Sequence, residues 1–392
     1  MSESVIVSGS RTPIGRFAGG FADLAATDLG GAAIGAALEG ARLDPSEVDY
    51  VIMGQVLQAG QGQITARQAA AKAGVPMSVP ALTVNKVCLS GLNAIALADQ
   101  LIRAGEVTRV VAGGMESMTN APYVAPKARF GARMGNTELI DSMMHDGLFC
   151  AFDRTSMGEA TERYNERFGL SRADQDEWAA RSHQLASKAI ETGKFDDEIT
   201  PVDVPQRKGD PVQVAKDEGV RPDTTVDSLG KLRPAFTKEG TITAGNASQI
   251  SDGGCAVVVM SREEAESRGL EPLATVVSHG MVAGPDASLH EQPANAIKAA
   301  LAKAGLKESD LAVAEINEAF AAVSLVSGRA LNVDLEAINP NGGAIALGHP
   351  IGMSGARLVL TLAHELRRRG GGLGAASLCG GGGQGDALII RV

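Results

Sequence analysis

The chain alternates amphipathic helical stretches with short apolar runs that are typical of buried strands. Residues 32–51 read AAIGAALEGARLDPSEVDYV, and they align without a gap to residues 295–314, NAIKAALAKAGLKESDLAVA. Apolar positions match along the pair, for example Leu38 with Leu301. Each copy predicts a helix, a turn and a buried strand, so the pattern indicates α/β layering in which one unit is used twice.

Further matching features follow each copy downstream. Each half offers a Ser-Gly pair that opens an amphipathic stretch, and then an apolar run that ends in small residues. The pairs are Ser90-Gly91 and Ser354-Gly355, and the runs are VVAGG at 110–114 and AASLCGG at 375–381. This ordered series predicts two similar halves related by a pseudo-twofold axis.

The region between the two halves has a different composition. Residues 119–249 are richer in charge and proline, and they contain one clear helical pattern, SRADQDEWAARSHQLASKAIETG, with Ser171 as its expected cap. We therefore predict an insertion or lid here. The predicted domains are a first half at 1–118 plus 250–270, an inserted loop domain at 119–249, and a second half at 271–392.

Composition narrows the functional classes. Of the 392 residues 44% are apolar, which allows a sizeable core, and the net charge of −10 argues against a nucleic-acid partner. No apolar run is long enough to span a membrane, and the N-terminus lacks the pattern of a secretory signal. The four cysteines are far apart, so neither a metal site nor a disulfide framework is expected. A reducing, cytoplasmic location is the interpretation that fits these features.

A cysteine stands where an apolar run meets a helical stretch. Residues 83–95 read TVNKVCLSGLNAI, in which the run ends at Cys88 and the helical stretch opens at Ser90. Amides and partial positive charge at a helix N-terminus stabilise a thiolate, so the position predicts a lowered pKa for Cys88. Cys88 is either a nucleophile or a side chain packed beneath the helix. Cys150 and Cys255 are expected to be small buried apolar residues.

The second half of the chain offers partners for such a nucleophile. His349 stands between Gly348 and Pro350, which fixes the backbone direction and leaves the ring room to approach a ligand. Cys379 precedes four glycines, whose amides can approach a substrate closely. These glycines contain the G-x-G-x-x-G spacing, but no helix follows, so a nicotinamide-dependent enzyme is not expected. Two cysteines and a histidine at strand ends indicate acyl transfer through a covalent thioester.

Seven stretches of the chain form a specific set of motifs. In chain order they are RTPIGRF, NKVCLSGLNAI, VVAGGMESM, EGTITAGNASQISDG, EINEAFAA, NGGAIALGHPIGMSGARL and LCGGGGQG. Together they resemble the motifs of one family, the thiolases, in its acetyl-CoA acetyltransferase branch. The resemblance covers essentially the whole chain. It implies an α/β thiolase fold, with duplicated halves that form a five-layered αβαβα core and an inserted loop domain.

The resemblance also implies roles for particular residues. Cys88 is the acylated nucleophile, His349 activates it, and Cys379 is the second acid/base. Asn317 holds a water that forms one oxyanion hole with His349, and the amides of Cys88 and Gly381 form the other. The residues implied for contacts with coenzyme A are Leu148, Met157, Arg221, Ser228, Ala235, Phe236, Ala244, Ser248, Ala319 and Phe320.

The sequence departs from the family pattern at three places. Ser156 stands where biosynthetic members often have histidine, and residues 289–293 replace a common Met-Gly-x-Gly-Pro loop that walls the acyl cavity. Gly380 replaces a commonly larger apolar residue, from which we expect a looser loop. We expect the change at Ser156 to affect contacts near the thioester, and the change at residues 289–293 to affect the depth of the acyl cavity.

The resemblance implies the reversible condensation of two acetyl-CoA molecules to acetoacetyl-CoA and coenzyme A. One alternative is a degradative 3-ketoacyl-CoA thiolase that acts on longer chains in fatty-acid β-oxidation. An alternative of another class is a catalytically silent scaffold that binds coenzyme A. The family further implies a homo-oligomer, dimer or tetramer, that has coenzyme A as substrate or product and no tightly bound cofactor or metal.

Overall fold

The structure is a computed structural model that describes residues 3–131 and 133–392. Its strands are β1 (Ser4–Arg11), β2 (Gly15–Arg16), β3 (Tyr50–Gly54), β4 (Ala81–Val84), β5 (Arg109–Ser117), β6 (Tyr123–Val124), β7 (Ile140–Asp141), β8 (Phe149–Cys150), β9 (Thr155–Ser156), β10 (Val202–Val204), β11 (Val212–Val214), β12 (Ser251–Ser261), β13 (Ala274–Ala283), β14 (Leu311–Ile316), β15 (Leu373–Gly380) and β16 (Gln384–Arg391). Apolar β-branched runs form the central strands, as in VVAGG of β5.

The α-helices lie between these strands. They are α1 (Ala26–Gly40), α2 (Thr65–Lys72), α3 (Ser90–Arg103), α4 (Met157–Phe168), α5 (Arg172–Glu191), α6 (Val226–Gly230), α7 (Arg262–Ser267), α8 (Gln292–Ala304), α9 (Ala321–Leu331), α10 (Ala344–Leu347) and α11 (Ser354–Arg368). Across the described residues, none of them is long and apolar enough to cross a membrane.

The predicted repeat is visible in the order of the strands. The first half-sheet runs β4-β3-β5-β12-β1, and the second runs β14-β15-β16-β13. Each half-sheet contains a parallel pair of strands, β3 with β5 in the first and β14 with β15 in the second. In each, the next strand in the sheet is antiparallel: β12 beside β5, and β16 beside β15. The two half-sheets meet where β1 pairs antiparallel with β13, with Val5 opposite Thr275 and Ile6 opposite Ala274. This arrangement confirms two similar halves.

The layers follow from which helices each half-sheet contacts. Helices α1 and α2 cover one face of the first half-sheet, and α8 and α9 cover one face of the second. Helices α3 and α11 pack against each other and contact strands of both half-sheets, so they form the middle layer. They begin at Ser90 and Ser354, as the two Ser-Gly pairs predicted. The fold is the expected α/β arrangement of five layers.

Glycine allows the two middle helices to approach closely. A Cβ atom on Gly91 would lie 2.9 Å from the carbonyl oxygen of Gly352 and from the amide nitrogen of Ala356. A Cβ atom on Gly355 would collide with the backbone nitrogen of Leu92. Since backbone cannot move aside as a side chain can, both positions require glycine, and the N-terminal ends of α3 and α11 come together.

The segment between β5 and β12 carries α4, α5 and α6 and three short hairpins. The hydroxyl of Ser171 accepts a hydrogen bond from the amide of Asp174 at 3.1 Å, which confirms the predicted start of α5. Trp178 of α5 is buried in the core of the second half, and its Nε1 donates to Glu318 at 3.0 Å. The segment thus packs onto the second half beside Asn317. The domain boundaries given above stay a prediction.

Alanine scanning at two helical glycines tests the close approach of the middle helices. Gly355→Ala places a methyl group against the backbone of α3, so we expect the free energy of unfolding to fall by about 2–3 kcal/mol. Gly35→Ala in α1 is the matched control, since a Cβ there meets nothing within 4 Å. That variant should be unchanged or stabilised by about 0.5–1 kcal/mol. Urea unfolding measures both, and equal stabilities would contradict the packing described here.

Candidate active site

Cys88 lies in a tight turn between the end of β4 and the start of α3. The residue before it, Val87, has a φ of 51°, which is unfavourable for a β-branched side chain. The turn is held by its own polar groups: Asn85 Oδ1 accepts from the amide of Val87 at 3.0 Å, and Ser90 Oγ accepts from the amide of Lys86 at 2.8 Å. The structure therefore places Cys88 at the predicted junction of strand and helix.

The resting pKa of Cys88 differs from the sequence prediction. Its side chain is partly exposed in a cavity, but the surrounding protein removes most of the water from the sulfur. This desolvation raises the pKa of Cys88 to about 12. A hydrogen bond from its own amide lowers the pKa and the nearby Glu116 raises it, both less strongly. The predicted lowering is wrong because burial outweighs the helix terminus, so Cys88 rests as a neutral thiol.

His349 is held in one orientation by the start of α11. Ser354 Oγ donates to the carbonyl of Pro350 at 2.9 Å and lies 2.6 Å from His349 Nδ1. Because the hydroxyl proton is used on Pro350, His349 Nδ1 donates to Ser354, and Nε2 is left as an acceptor. Nε2 accepts from Asn317 Nδ2 at 3.3 Å. The ring therefore presents its basic nitrogen on the Asn317 side.

The electrostatic surroundings keep His349 neutral. Burial lowers the pKa of His349 to about 3, and the positive charge of Arg357 adds to this effect. Arg357 lies in α11, is itself buried, and pairs with Glu315 at 3.3 Å. A neutral imidazole beside a neutral thiol is the resting pair from which a proton can be transferred, with His349 Nε2 as the acceptor.

Asn317 follows β14 and is fully buried. Its amide donates to the carbonyl of Ser377 at 3.0 Å, which fixes the side chain beside His349. Its Oδ1 is a buried acceptor without a hydrogen-bond partner among the described residues. Buried polar atoms are nearly always satisfied, so this oxygen can accept a hydrogen bond from a water or a substrate.

Cys379 and Gly381 lie at the hairpin between β15 and β16. Cys379 is opposite Gly385 in the ladder, and Gly382 and Gly383 turn the chain with φ of 77° and 69°. The glycine-rich stretch is thus a hairpin turn, and a dinucleotide site at this point is excluded by geometry. Burial raises the pKa of the Cys379 thiol above its ordinary value, and the neighbouring Cys88 raises it further. A Cβ on Gly380 would lie 2.6 Å from Leu89, so the expected loosening is wrong: this strand end is tightly packed.

One small cavity, of about 60 Å³, joins these elements. The predicted site residues that line it are Cys88, His349, Cys379, Gly381, Leu148, Met157, Ser248, Ala319 and Phe320. Leu289, from the atypical 289–293 loop, closes it on one side. Gly147 and Ile351 also line the cavity. Both are small or apolar residues in stretches with many such residues, so nothing in the sequence marked them as part of the site.

The remaining predicted contact residues for coenzyme A lie outside this cavity. Arg221, Ser228, Ala235, Phe236 and Ala244 are all exposed. Phe236 is the one with a described link to the cavity, since its ring meets the edge of the Phe320 ring at 6.2 Å between centroids. The structure therefore brings the catalytic candidates together and leaves these five on the surface outside the cavity.

A buried carboxylate near Cys88, Glu116, was not among the predicted site residues. Glu116, in VVAGGMESM, accepts hydrogen bonds from the amides of Val56 at 3.0 Å, Leu57 at 3.1 Å and Gly352 at 2.9 Å. Burial raises the pKa of Glu116 to about 7 although the three amides lower it. An acidic residue in an otherwise apolar strand is the sequence feature that could have marked Glu116 as a buried functional group. Glu116 fastens the loop that carries His349 to the first half.

Two further departures from the family pattern have a local structural role. Ser156 caps α4, with its hydroxyl accepting from the amide of Glu159 at 3.2 Å. In the 289–293 loop, His290 is buried, stacks on Phe168 at 4.7 Å, and has its Nε2 2.8 Å from Asn165 Oδ1. These contacts hold Leu289 against the cavity.

The fold and this cavity define a thiolase, and the chain belongs to the thiolase family. The thiolase N-terminal domain model matches residues 4–263 and the C-terminal domain model matches residues 270–392. A relative from Mycolicibacterium smegmatis, "Probable acetyl-CoA acetyltransferase", is 57% identical over 99% of this chain and all of its own length. The acetyl-CoA acetyltransferase of Pseudomonas aeruginosa is 52% identical over 100% of this chain and 99% of its own. The crystal structure of the Bacillus anthracis acetyl-CoA acetyltransferase superposes with a TM-score of 0.97 at 41% identity, covering 100% and 99% of the two chains.

Alkylation of Cys88 tests the protonation states. In a His349→Asn variant the base is absent, so a thiol of pKa about 12 should react with iodoacetamide about tenfold faster per pH unit between about pH 7 and 10. In the wild type, His349 with a pKa of about 3 stays neutral from neutral pH down to well below it, so the rate should show no step near the ordinary histidine pKa. Peptide mass analysis follows the label. If the alkylation rate of the variant reaches a plateau below about pH 9, the Cys88 thiol does not have a raised pKa. If the alkylation rate of the wild type shows a step near about pH 6.5, His349 is not held neutral.

Proposed function

We propose that this chain is an acetyl-CoA C-acetyltransferase that condenses two acetyl-CoA molecules reversibly to acetoacetyl-CoA and coenzyme A. The observation that carries the proposal is the meeting of Cys88, His349 and Cys379 in one small cavity, with Asn317 bonded to His349. Relatives that bear this activity in their names match the full length of the chain. Coenzyme A acts as substrate and product.

In the first half-reaction, His349 Nε2 takes the proton of the Cys88 thiol. The sulfur attacks the thioester carbonyl, the bond from carbonyl carbon to coenzyme A sulfur breaks, and an acetyl group remains on Cys88. The protonated Nε2 and a water that donates to Asn317 Oδ1 together stabilise the oxyanion. The departing thiolate takes the proton of Cys379, which leaves Cys379 as the base for the next step.

In the second half-reaction, the Cys379 thiolate removes a proton from the α-carbon of a second acetyl-CoA. The carbanion attacks the acetyl carbonyl on Cys88, a carbon–carbon bond forms, and the bond to the Cys88 sulfur breaks. His349 returns its proton to Cys88. Cys88 and Gly381 line the cavity from opposite halves, and their amides are proposed to hold this second oxyanion.

Coenzyme A is proposed to enter along the surface that leads from the cavity past Phe320. Leu148, Met157 and Ser248 line the cavity and are proposed to contact the thin apolar arm next to the thioester. Phe236 extends this wall outward through its edge contact with Phe320. The exposed Arg221 supplies a positive charge for the phosphate-bearing end on an otherwise acidic protein.

A homo-oligomer, dimer or tetramer, is also proposed. Strand β4 is an edge strand, and exposed apolar side chains lie at or near it, namely Ile64, Met77 and Leu82. Such an edge is usually covered by another strand or chain. The cytoplasm is the proposed location, since the chemistry requires Cys88 and Cys379 as free thiols.

Trapping the acyl-enzyme tests the function. Brief incubation with acetyl-CoA and an acid quench should leave one acetyl group on the Cys88 peptide, measured by mass spectrometry. Cys379→Ser should still acquire the group but lose about 10²-fold or more in turnover, because the second half-reaction lacks its base. Cys88→Ala should lose turnover and still bind coenzyme A. An unlabelled Cys88 with every acyl donor would contradict the proposal and favour a silent, coenzyme A-binding scaffold.

Chain length separates the acetyltransferase from the alternative, a degradative thiolase for longer chains. Leu289 is buried against a cavity of about 60 Å³, which favours a short acyl group. Leu289→Ala should open the cavity and raise kcat/KM for 3-ketohexanoyl-CoA relative to acetoacetyl-CoA by about tenfold, as expected for one or two added methylene groups. Leu325→Ala, in α9, is a control of the same type outside the cavity. A wild-type preference for long chains would contradict the proposed substrate.

A further inference from the structure

An ion pair between a partly exposed lysine and a fully buried aspartate joins the two halves of the chain next to both cysteines. Lys86 Nζ lies 2.7 Å and 3.0 Å from the two carboxylate oxygens of Asp386. Asp386 is fully buried in β16, whereas Lys86 is partly exposed. Asn93 Nδ2 of α3 lies 3.4 Å from the same carboxylate, and the buried His279 Nε2 lies 3.7 Å from it.

The two ends of this pair are placed next to the two cysteines. Lys86 is two residues before Cys88 in the turn that precedes α3. Asp386 lies opposite Leu378 in the β15–β16 ladder, so it is beside the residue that precedes Cys379. The ion pair therefore connects the backbone that carries one sulfur to the backbone that carries the other.

The Cys88 turn needs such support, because Val87 holds an unfavourable positive φ of 51°. The bonds of Asn85 and Ser90 shape the turn from within the first half. They do not fix where the turn stands relative to β15. The His349 loop has a separate anchor, since Glu116 binds the amide of Gly352. The distance from Cys88 to His349 and the distance from Cys88 to Cys379 thus depend on different contacts.

We propose that Lys86 and Asp386 are positioning residues that set the spacing between Cys88 and Cys379. The inference rests on the proposed function, in which Cys379 acts on a second substrate while the acetyl group is on Cys88. In forming the acetyl-enzyme, Cys88 and His349 act at the carbonyl, and Cys379 only gives its proton to the departing coenzyme A thiolate. Because a thiolate is a good leaving group, this step tolerates a small displacement of Cys379 and survives loss of the pair. The carbon–carbon bond-forming step and its reverse use both sulfurs, and a displacement of about 1 Å at that step costs on the order of 10²-fold in rate.

Asp386→Asn tests this division, since it keeps the size of the side chain and removes its charge. Lys86→Met removes the other charge, and Lys86→Arg keeps it. Lys72→Met is the matched control, because it breaks a Lys–Asp pair with Asp28 on the surface, away from the cavity. For each purified protein, rapid-quench mass spectrometry gives the rate of Cys88 acetylation by acetyl-CoA. The same acetyl-enzyme mixed with acetyl-CoA gives the rate of condensation, and free enzyme mixed with acetoacetyl-CoA gives the rate of the reverse step, the cleavage of the carbon–carbon bond.

We expect Asp386→Asn and Lys86→Met to acetylate Cys88 within about threefold of the wild type, and to slow condensation and the cleavage of acetoacetyl-CoA by about tenfold or more. Lys86→Arg should recover most of the loss, and Lys72→Met should match the wild type. Thermal unfolding identifies variants that fail to fold. If Asp386→Asn does not fold, the rates of Lys86→Arg and Lys86→Met are compared instead.

Three results would overturn the proposal. Equal losses in both half-reactions would show that the pair acts on Cys88 alone or on the fold. No loss in either would show that Lys86 does no more than neutralise a buried carboxylate. A Lys86→Arg variant that condenses as slowly as Lys86→Met would show that the positive charge at residue 86 does not set the spacing of the two cysteines. A wild-type protein that is never acetylated on Cys88 would instead refute the proposed function.

Discussion

The contact between the N-terminal ends of α3 and α11 is the constraint on which the site depends. Gly91 and Gly355 let the two helix backbones touch, and Gly114, inside β5, meets the carbonyl of Gly352 so closely that a Cβ there would collide. Cys88 stands just before one helix, and His349 stands just before the other. Because these are contacts between backbones, their spacing does not depend on flexible side chains, and the nucleophile and its base come together as the halves fold.

This close packing also determines the charge states of the catalytic groups. A dry site raises the pKa of Cys88 and of Cys379 and lowers that of His349, so all three rest without charge. The resting state avoids the large cost of a buried, unpaired ion. The same lack of water makes charge that forms during the reaction interact strongly with fixed dipoles, including backbone amides and Asn317. A proton therefore moves together with bond formation, and reactivity appears when the substrate carbonyl is present.

Sequence patterns predicted the features that depend on local periodicity. The two half-sheets, the helix starts at Ser90 and Ser354, the cap at Ser171 and the junction at Cys88 all follow from neighbouring residues. The pKa of Cys88 could not be predicted in this way, because its desolvation comes from elements far away in the chain, such as Leu148 and Leu289. The role of Glu116 was likewise hidden, since its partners are amides whose residue types carry no signal.

The tight packing of Gly380 shows the same limit from the opposite side. A glycine in place of a larger residue predicts a looser strand end when only the sequence is considered. In the folded chain Leu89, from the turn that carries Cys88, fills the space beside it. The substitution is therefore compensated by a residue almost three hundred positions away, and the compensation lies between the two catalytic turns.

The two halves use one structural device for two chemical purposes. Ser90 and Ser354 begin equivalent helices, and each hydroxyl donates to a carbonyl in the preceding turn, Val87 at 2.6 Å and Pro350 at 2.9 Å. In the first half the serine oxygen then accepts from a backbone amide and shapes the Cys88 turn. In the second half the corresponding oxygen accepts from His349 Nδ1, which selects the tautomer with a basic Nε2. The same kind of helix start thus holds the nucleophile in one half and orients its base in the other. The two halves keep the same backbone arrangement, and the residues of the two turns give them different chemical roles.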